Sequence, residues 1–222
     1  MLENKHIVIT GGAGALGQGV ATTAARYGAR VSLLDVLPEF EPVTGSGHTV
    51  DLTDEAAVEA VFAQLDPFDA VANIAGGFDM GPTVYATSNA AWDAMFDINV
   101  ATLRTVLRVA VPRMLKRERG SIVNVGALGA LQGIGAMGAY TAAKSVVMRL
   151  TEALSDEVRH QGLNVNAVLP SLIDTPRNRA DMPDADHGTW VTPEDLAEVI
   201  CFLCSDGARA VHGALVPVRG LV

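Results

Sequence analysis

The chain has 222 residues, a length that favours one large α/β domain over two separate domains. Its formal net charge of −9, from 16 basic and 25 acidic residues, argues against binding to nucleic acid or to an anionic membrane surface. Hydrophobic residues make up 49% of the chain and charged residues 18%, so we expect a packed core and little disorder.

Short β-branched runs alternate with helical patterns along the whole chain. The predicted strands are His6–Thr10, Arg30–Asp35, His48–Leu52, Ala70–Ile74, Ser121–Val125, Asn164–Leu169 and Ala214–Val218. The predicted helices are Leu16–Tyr27, Asp54–Gln64, Ala90–Lys116, Ala139–Gln161 and Pro193–Cys204, with Pro112 expected to kink or end the third. Several strands are apolar on both faces, which predicts a doubly wound parallel sheet of about seven strands covered by helices on both sides.

A glycine-rich segment connects the first predicted strand to the first helix. It reads Thr10-Gly-Gly-Ala-Gly-Ala-Leu-Gly17, and it contains no basic side chain. Glycines allow a pyrophosphate to approach the backbone, and the helix N-terminus supplies unpaired N–H donors. The segment therefore predicts a dinucleotide-binding loop.

The second predicted strand ends at Asp35, 18 residues after Gly17. A carboxylate at this place accepts hydrogen bonds from both ribose hydroxyls of NAD and repels the 2′-phosphate of NADP. The next residue, Val36, offers no compensating positive charge, so NAD is expected and NADP is less favoured. Asp51 and Leu52 end the third predicted strand, where they would meet the adenine, although Asp51 could equally cap the next helix.

Tyr140 and Lys144 lie one helical turn apart on a strongly helical stretch. This spacing places both side chains on one helix face. A nearby ammonium stabilises a phenolate, so we expect Lys144 to lower the pKa of Tyr140. The tyrosine could then exchange a proton with a substrate atom that gains or loses a hydride.

Taken together, these motifs resemble the short-chain dehydrogenase/reductase family over essentially the whole chain. The resemblance is carried by the glycine segment, Asp35, Asn73-Ile-Ala-Gly76, Asn99 and the Tyr140-x-x-x-Lys144 pair. It implies a single-domain Rossmann fold over residues 1–222, NAD(H) as cofactor and a small-molecule substrate. It also implies a homodimer or homotetramer formed through the helices at about 90–116 and 139–161.

The resemblance assigns roles to individual residues of this chain. Tyr140 would be the general acid/base, Lys144 would hold the nicotinamide ribose, and Asn99 would anchor a water in the proton relay. The segment from Pro170 to Thr175 would contact the nicotinamide carboxamide, with Thr175 as donor. The full set implied to bind the cofactor is Gly11, Gly14, Ala15, Leu16, Gly17, Asp35, Asp51, Leu52, Asn73, Ala75, Gly76, Tyr140, Lys144, Pro170, Ile173 and Thr175.

Two positions depart from the family's common pattern. Ala15 stands where the commonest glycine pattern has glycine, and the glycines at 11, 14 and 17 fit the spacing of the family's extended members. Ala127 stands where most members carry a serine that hydrogen-bonds the substrate oxygen, a donor worth about 3 kcal/mol. Three interpretations stay open: the substrate needs no such donor, Gln132 replaces it, or the protein binds the cofactor without turnover.

One branch of the family offers a precedent for the first interpretation. Quinonoid dihydropteridine reductases also have alanine at this position, and their motifs are similar around Gly126-Ala-Leu128, Asp174-Thr-Pro176 and Trp190. Phe78 stands where that reductase has tryptophan. This similarity implies a pre-activated quinonoid substrate and makes Phe78, Gln132 and Ala127 candidate substrate contacts.

The remaining signals predict structure rather than further chemistry. The irregular stretch at about 171–192 is expected to be a short substrate lid, with its acidic residues on the surface. Cys201 and Cys204 lie among apolar residues late in a helical pattern, so we expect buried packing and no metal or redox site. Gly120 to Ala143 carries no charge, but its six glycines argue against a membrane span. Since the N-terminus has no export signal, a cytoplasmic oxidoreductase is expected.

Overall fold

The computed structural model describes all 222 residues and contains one seven-stranded parallel sheet. The strands are β1 His6–Thr10, β2 Arg30–Asp35, β3 Ser46–Thr49, β4 Ala70–Asn73, β5 Gly120–Val125, β6 Leu163–Pro170 and β7 Leu215–Val218. Their order is β3-β2-β1-β4-β5-β6-β7, so the winding direction reverses between β1 and β4. The predicted doubly wound α/β fold is confirmed, and ligands of such sheets bind at the carboxyl ends of the strands next to this reversal.

Seven α-helices cover the two faces of the sheet. They are α1 Ala15–Arg26, α2 Glu55–Gln64, α3 Asn89–Phe96, α4 Thr102–Leu115, α5 Gly138–Val158, α6 Pro176–Asp181 and α7 Pro193–Leu203. One apolar cluster joins α1 and α7 to the sheet through residues such as Ile9, Val20 and Ile200. A second joins α2, α4 and α5 to the opposite face through residues such as Val8 and Val158. No helix combines the length and the apolar character that a membrane crossing requires.

The long helix predicted at 90–116 is divided in the structure. A π-helical turn, Asp97–Ala101, separates α3 from α4. Such turns insert an extra residue into the helical ladder and are common at functional sites. Pro112 does not end the helix, which continues past it to Leu115.

The third strand differs from the prediction in its position. It runs from Ser46 to Thr49 rather than from His48 to Leu52. The chain turns at Asp51, whose carboxylate accepts hydrogen bonds from the backbone N–H (2.8 Å) and hydroxyl (2.7 Å) of Thr53. Asp54, and not Asp51, caps α2 by accepting from the backbone N–H groups of Ala56 and Ala57.

No helix connects β2 to β3, although parallel strands are usually joined by one. Residues 36–45 form a loop instead, and Phe40 packs from it against the cluster beside α1. The side chain of Gln18 fixes this loop to the glycine segment. Its Nε2 donates to the Gly12 carbonyl (2.6 Å) and its Oε1 accepts from the Val43 N–H (2.9 Å).

Candidate functional site

The glycine segment forms a tight cradle at the carboxyl end of β1. Gly11 adopts φ +68°, and a Cβ at this position would lie 2.8 Å from the backbone nitrogen of Ala75. A Cβ at Gly17 would collide with the carbonyl oxygen of Gly11. The N-terminus of α1 has no side-chain cap, and Gly14 and Ala15 are exposed there. The unpaired N–H groups and the missing side chains fit a pyrophosphate, and the methyl group of Ala15 does not fill the cradle.

Asp35 lies at the end of β2 with 9% of its surface exposed, and it contacts the glycine segment. Its Oδ2 accepts from the Ala13 N–H (2.9 Å) and its Oδ1 from the Leu37 N–H (3.1 Å). A carboxylate offers about four acceptor positions, so two contacts leave room for ribose hydroxyls. The same bonds show that Asp35 also shapes the cradle, which the sequence did not indicate.

One cavity brings together residues that were predicted from distant parts of the chain. Leu52, Asn73, Ala75, Asn99 and Lys144 all line it. Polar residues that the sequence analysis missed complete the lining, namely Thr10, Thr102 and Asn124. Asn124 could have been found, because it lies near the end of β5 in register with Asn73 on β4.

A chain of polar side chains crosses the base of this cavity. Asn73 donates from Nδ2 to Asn124 Oδ1 (2.8 Å), and Asn124 donates in turn to the Thr151 hydroxyl (2.9 Å). The Oδ1 of Asn73 is the only buried side-chain polar atom in the protein without a hydrogen-bond partner. An orphaned acceptor at the carboxyl end of β4 fits a site that receives a polar ligand.

Tyr140 and Lys144 lie on α5 with both side chains largely buried. The ammonium of Lys144 donates to the backbone carbonyl of Val125 (2.9 Å), and burial lowers the pKa of Lys144 to about 8. Burial raises the pKa of Tyr140 to about 12. The sequence-based prediction that Lys144 lowers the pKa of Tyr140 is therefore wrong for this structure, because desolvation of the phenol dominates.

The phenol ring of Tyr140 packs edge-to-face against Phe78, with ring centroids 4.9 Å apart and an interplanar angle of 82°. Phe78 is 42% exposed, so its other side faces solvent. No protein group lies within hydrogen-bond distance of the Tyr140 hydroxyl. The hydroxyl is thus free to pair with a bound molecule.

Asn99 lies in the π-helical turn and clamps the segment that follows β4. Its Oδ1 accepts from the Gly77 N–H (3.1 Å), and its Nδ2 donates to the carbonyl oxygens of Gly77 (3.0 Å) and Met95 (3.1 Å). A Cβ at Gly76 would lie 2.8 Å from Asn99 Oδ1 and 3.1 Å from Lys144 Nζ. Only a glycine lets this segment pass so close to both side chains.

Ala127 and Gln132 differ in burial. Ala127 is buried with Ala130, Met148 and Leu169, and Tyr140 packs against this cluster. Gln132 is exposed and lines a groove on the other side of α5, together with Trp92 and Ser145. Ala130 belongs to both the cluster around Ala127 and the groove lined by Gln132, so replacement of the serine by Gln132 stays a prediction.

The segment predicted to be a lid begins after Pro170, the last residue of β6, and contains α6. Thr175 caps α6 by accepting from the Asn178 N–H (3.2 Å), which leaves its hydroxyl proton available for donation. Ile173 pairs with Val191 at the base of the lid. Arg179 makes a two-pronged ion pair with Asp174 (2.5 and 2.6 Å), which holds the pKa of that carboxyl below its usual range. The Arg179 guanidinium is therefore already paired within this segment.

The two cysteines are buried, as predicted. Cys201 and Cys204 lie on and just after α7 in the cluster beside α1, and burial raises the pKa of both thiols. Thiols with raised pKa are poor nucleophiles. The C-x-x-C spacing is therefore a packing feature.

Comparison with known proteins identifies related chains along the full length. A family model described as enoyl-(acyl carrier protein) reductase matches residues 11–220. The chain is 32% identical to 2-(S)-hydroxypropyl-CoM dehydrogenase 3 of Xanthobacter autotrophicus over 99% of this chain and 96% of that protein. It is 34% identical to a second protein of that organism, named inactive 2-(S)-hydroxypropyl-CoM dehydrogenase 2, over 90% of this chain and 98% of that one.

Solved structures show the same fold. An Agrobacterium tumefaciens protein, assigned provisionally as a 2-deoxy-d-gluconate 3-dehydrogenase and carrying bound NADP, superposes with a TM-score of 0.89. It is 30% identical, and the match covers 99% of this chain and 96% of that one. A 3-ketoacyl-(acyl-carrier-protein) reductase from Brucella melitensis, in complex with NADH, gives a TM-score of 0.86 at 26% identity over 99% and 98% of the two chains. Both nicotinamide dinucleotides therefore occur among structures similar to this one.

Proposed function

The chain belongs to the short-chain dehydrogenase/reductase family of oxidoreductases, and from this premise we propose that it transfers a hydride between NAD(H) and a small carbonyl, alcohol or quinonoid substrate. The observation that carries the proposal is the convergence of Asn73, Asn99 and Lys144 on one cavity beside Tyr140. These side chains come from β4, the π-helical turn and α5. Only the fold brings them together, at the sheet edge where such folds bind ligands.

The residues of the chain have distinct roles in this proposal. The glycine cradle binds the pyrophosphate through the N-terminus of α1, and Asp35 binds the adenosine ribose. Lys144, Asn73 and Thr175 face the nicotinamide half, with Ala75, Gly76, Pro170 and Ile173 as backbone or apolar contacts. When bound, the dinucleotide supplies or accepts the hydride. Everything else that the reaction needs comes from the chain's own side chains.

Tyr140 is the proton donor in this proposal. With a pKa of about 12 the phenol is protonated at neutral pH, so it is ready to donate to a substrate oxygen that gains negative charge. The buried ammonium of Lys144 lies one turn away and, when charged, stabilises the phenolate that remains. The clamp of Asn99 on Gly77 keeps the backbone beside these two groups in place.

We propose NAD(H) rather than NADP(H) as the cofactor. From residue 31 to residue 103 the chain contains no lysine or arginine, while it contains 12 aspartates and glutamates. This segment includes Asp35 and the loop 36–45 that follows it, where a 2′-phosphate would lie. Electrostatic repulsion therefore disfavours the phosphate, and no cation of this segment offsets it.

Ala127 narrows the class of substrate that this site would reduce. It removes the serine hydroxyl that would stabilise a developing oxyanion and leaves Tyr140 as the proposed proton donor. A substrate that already attracts electrons, such as a quinonoid ring, needs little polarisation. A quinonoid dihydropteridine reductase-like activity is therefore the narrower form of the proposal, and Phe78 would contact the ring.

A protein that binds NAD(H) without catalysis is the second candidate. Ala127 favours it, because a donor of about 3 kcal/mol is missing, and one relative is named as inactive. The intact Tyr140, Lys144 and Asn99 oppose it.

We also propose a cytoplasmic location, since both cysteines are free and buried.

The deciding experiment measures NADH oxidation with a quinonoid dihydropterin and with a panel of plain ketones. Turnover of either class supports the oxidoreductase proposal, and turnover of the quinonoid alone supports the narrower form. Tight NADH binding without turnover of any substrate would favour the non-catalytic alternative. A protein that binds neither NADH nor NADPH would contradict both candidates.

A further inference from the structure

Backbone hydrogen bonds join the beginning and the end of the predicted lid, and we call this joined region the neck. The neck consists of Leu172–Asp174 at the beginning of the lid and Thr189–Val191 at its end. The Asp174 N–H donates to the Val191 carbonyl (2.8 Å), and the Val191 N–H donates to the Leu172 carbonyl (2.9 Å). Ile173, which the proposed function places against the nicotinamide, lies in the middle of this neck.

A second segment, Val218–Leu221, contacts both ends of the lid. At the beginning, the Ser171 N–H donates to the Val218 carbonyl (3.0 Å), and the Ser171 hydroxyl donates to the Arg219 carbonyl. At the end, the Leu221 N–H donates to the Thr189 carbonyl (2.9 Å). The segment therefore spans the neck from one side to the other.

Gly220 is the point where this segment fits most closely. It adopts φ +63°, and a Cβ there would lie 2.7 Å from the Thr189 carbonyl oxygen and 3.3 Å from the Val191 nitrogen. Any side chain would push the segment away from the neck, because the atoms it would meet belong to backbone. The close approach is thus specific to a glycine at this position.

We propose that Val218–Leu221 is a clasp that holds the neck of the lid closed and so positions Ile173 and Thr175. Gly220 and Ser171 are its positioning residues, and neither touches the reacting atoms. The clasp makes the base of the lid rigid, while α6 and the residues beyond it remain free to adjust to a substrate. The link from the clasp to cofactor binding rests on the proposed function, whereas the clasp itself rests only on the contacts described.

The test compares Gly220→Ala with Gly213→Ala. Gly213 has nearly the same backbone angle, φ +65°, but a Cβ there would meet only the Ser155 side chain at an ordinary 3.5 Å. Both variants carry the strain of a left-handed L residue, so their melting temperatures should fall by similar amounts. Only Gly220→Ala should open the neck.

The direct readout is amide hydrogen exchange at Asp174 and Val191, whose N–H groups close the neck. We expect about tenfold faster exchange at both amides in Gly220→Ala and no change in Gly213→Ala. Trypsin should also cleave faster after Arg177 and Arg179 in the first variant. Equal exchange in the two variants, or amides that already exchange freely in the unmodified protein, would overturn the clasp.

The functional readout is the split between KM and kcat. If about one molecule in ten retains a closed neck, the KM for NADH rises about tenfold while kcat stays within about twofold. Ser171→Ala removes a single hydrogen bond and should show the same pattern at about threefold, which keeps the test valid if Gly220→Ala fails to fold. Faster exchange without any change in KM would support the clasp itself and contradict its proposed effect on cofactor binding.

Discussion

Tyr140 combines an unpaired hydroxyl with a largely buried ring, and this combination defines its chemistry. Burial raises the pKa of the phenol to about 12, and Phe78 packs edge-to-face against its ring. Spacing alone identified the pair with Lys144, because residues four apart share a helix face. Spacing could not reveal that desolvation would outweigh the nearby charge, since burial is a property of the folded chain.

Tyr140→Phe should lower kcat by about a hundredfold or more, because it removes the proposed proton donor and keeps the ring. NADH binding, followed by fluorescence, should stay within about twofold of the unmodified protein. Tyr85→Phe is the control, since Tyr85 is 92% exposed and the same hydroxyl is removed there. A fully active Tyr140→Phe would rule out the proposed proton transfer.

Lys144 should make the stability of the protein depend on pH. Its folded pKa of about 8 lies below the 10.5 of a solvated lysine, so the folded protein releases this proton at lower pH than the unfolded chain. The cost of burying the charged ammonium is complete below pH 8 and disappears as the pH rises to about 10.5. Stability from this group therefore rises with pH across that window.

Urea unfolding of the unmodified protein and of Lys144→Met, each at pH 7.5 and pH 9.5, measures this effect. The free energy of unfolding of the unmodified protein should gain about 2 kcal/mol relative to the variant between the two pH values. The comparison cancels the groups that titrate in both proteins. A constant difference would mean that Lys144 has an ordinary pKa in the folded state.

Asp35 should control the choice between the two dinucleotides. Asp35→Ala removes the charge that repels a 2′-phosphate, so the ratio of kcat/KM for NADH to that for NADPH should fall about tenfold or more. The ratio is the proper measure, because the same carboxylate also holds the Ala13 and Leu37 N–H groups and its loss will weaken both cofactors. Glu41→Ala removes an exposed charge from the neighbouring loop and should leave the ratio unchanged.

At the scale of elements, the π-helical turn between α3 and α4 positions Asn99 of the proposed site. The periodicity of residues 90–116 predicted one continuous helix, whereas the structure divides it at the turn Asp97–Ala101. Asn99 reaches Gly77 only because the ladder is interrupted here. A turn of this kind depends on contacts with another element, so pattern analysis does not detect it.

Asn99→Ala should destabilise the protein and reduce activity together. It leaves the Gly77 N–H and carbonyl without their partners, which costs about 1–3 kcal/mol for a buried group. Thermal unfolding and kcat should both fall, since the Gly76–Phe78 segment beside Tyr140 loses its anchor. Asn89→Ala, in the exposed first turn of α3, is the control, and equal effects of the two variants would contradict the clamp.

At the scale of the whole molecule, α5 and the segments beside it form an apolar groove. Val84, Trp92, Leu131 and Ile134 line it together with Ala142 of α5, and Leu131 is 58% exposed. The family is typically oligomeric, and we propose that a second copy covers this face. Trp92 of α3 and Ala142 of α5 lie in the two segments that the sequence predicted to form a subunit interface.

Sedimentation tests this arrangement. The unmodified protein should sediment as a dimer or tetramer, and Ala142→Glu should shift it toward monomer because a buried charge at an interface is costly. Val43→Glu is the control, since Val43 is 63% exposed and lies on the loop between β2 and β3. A monomer under all conditions would exclude the proposed interface.

The sequence by itself determined the α/β class and the seven strands, and it supplied the residues of the proposed site. These features depend on short-range spacing: the glycines, the Tyr140–Lys144 pair and the alternation of apolar runs act within one element or one connection. The predicted end of the third strand differs from the observed one where the carboxylate of Asp51 accepts from the nearby backbone N–H of Thr53.

The tertiary structure alone decided which of these residues act together. Burial sets the pKa values of Tyr140 and Lys144, and the fold buries Ala127 while it leaves Gln132 exposed. The contact of Val218–Leu221 with the lid joins segments that are about 30–50 residues apart in the chain. Such contacts depend on the packing of distant elements, and no local pattern in the sequence encodes them.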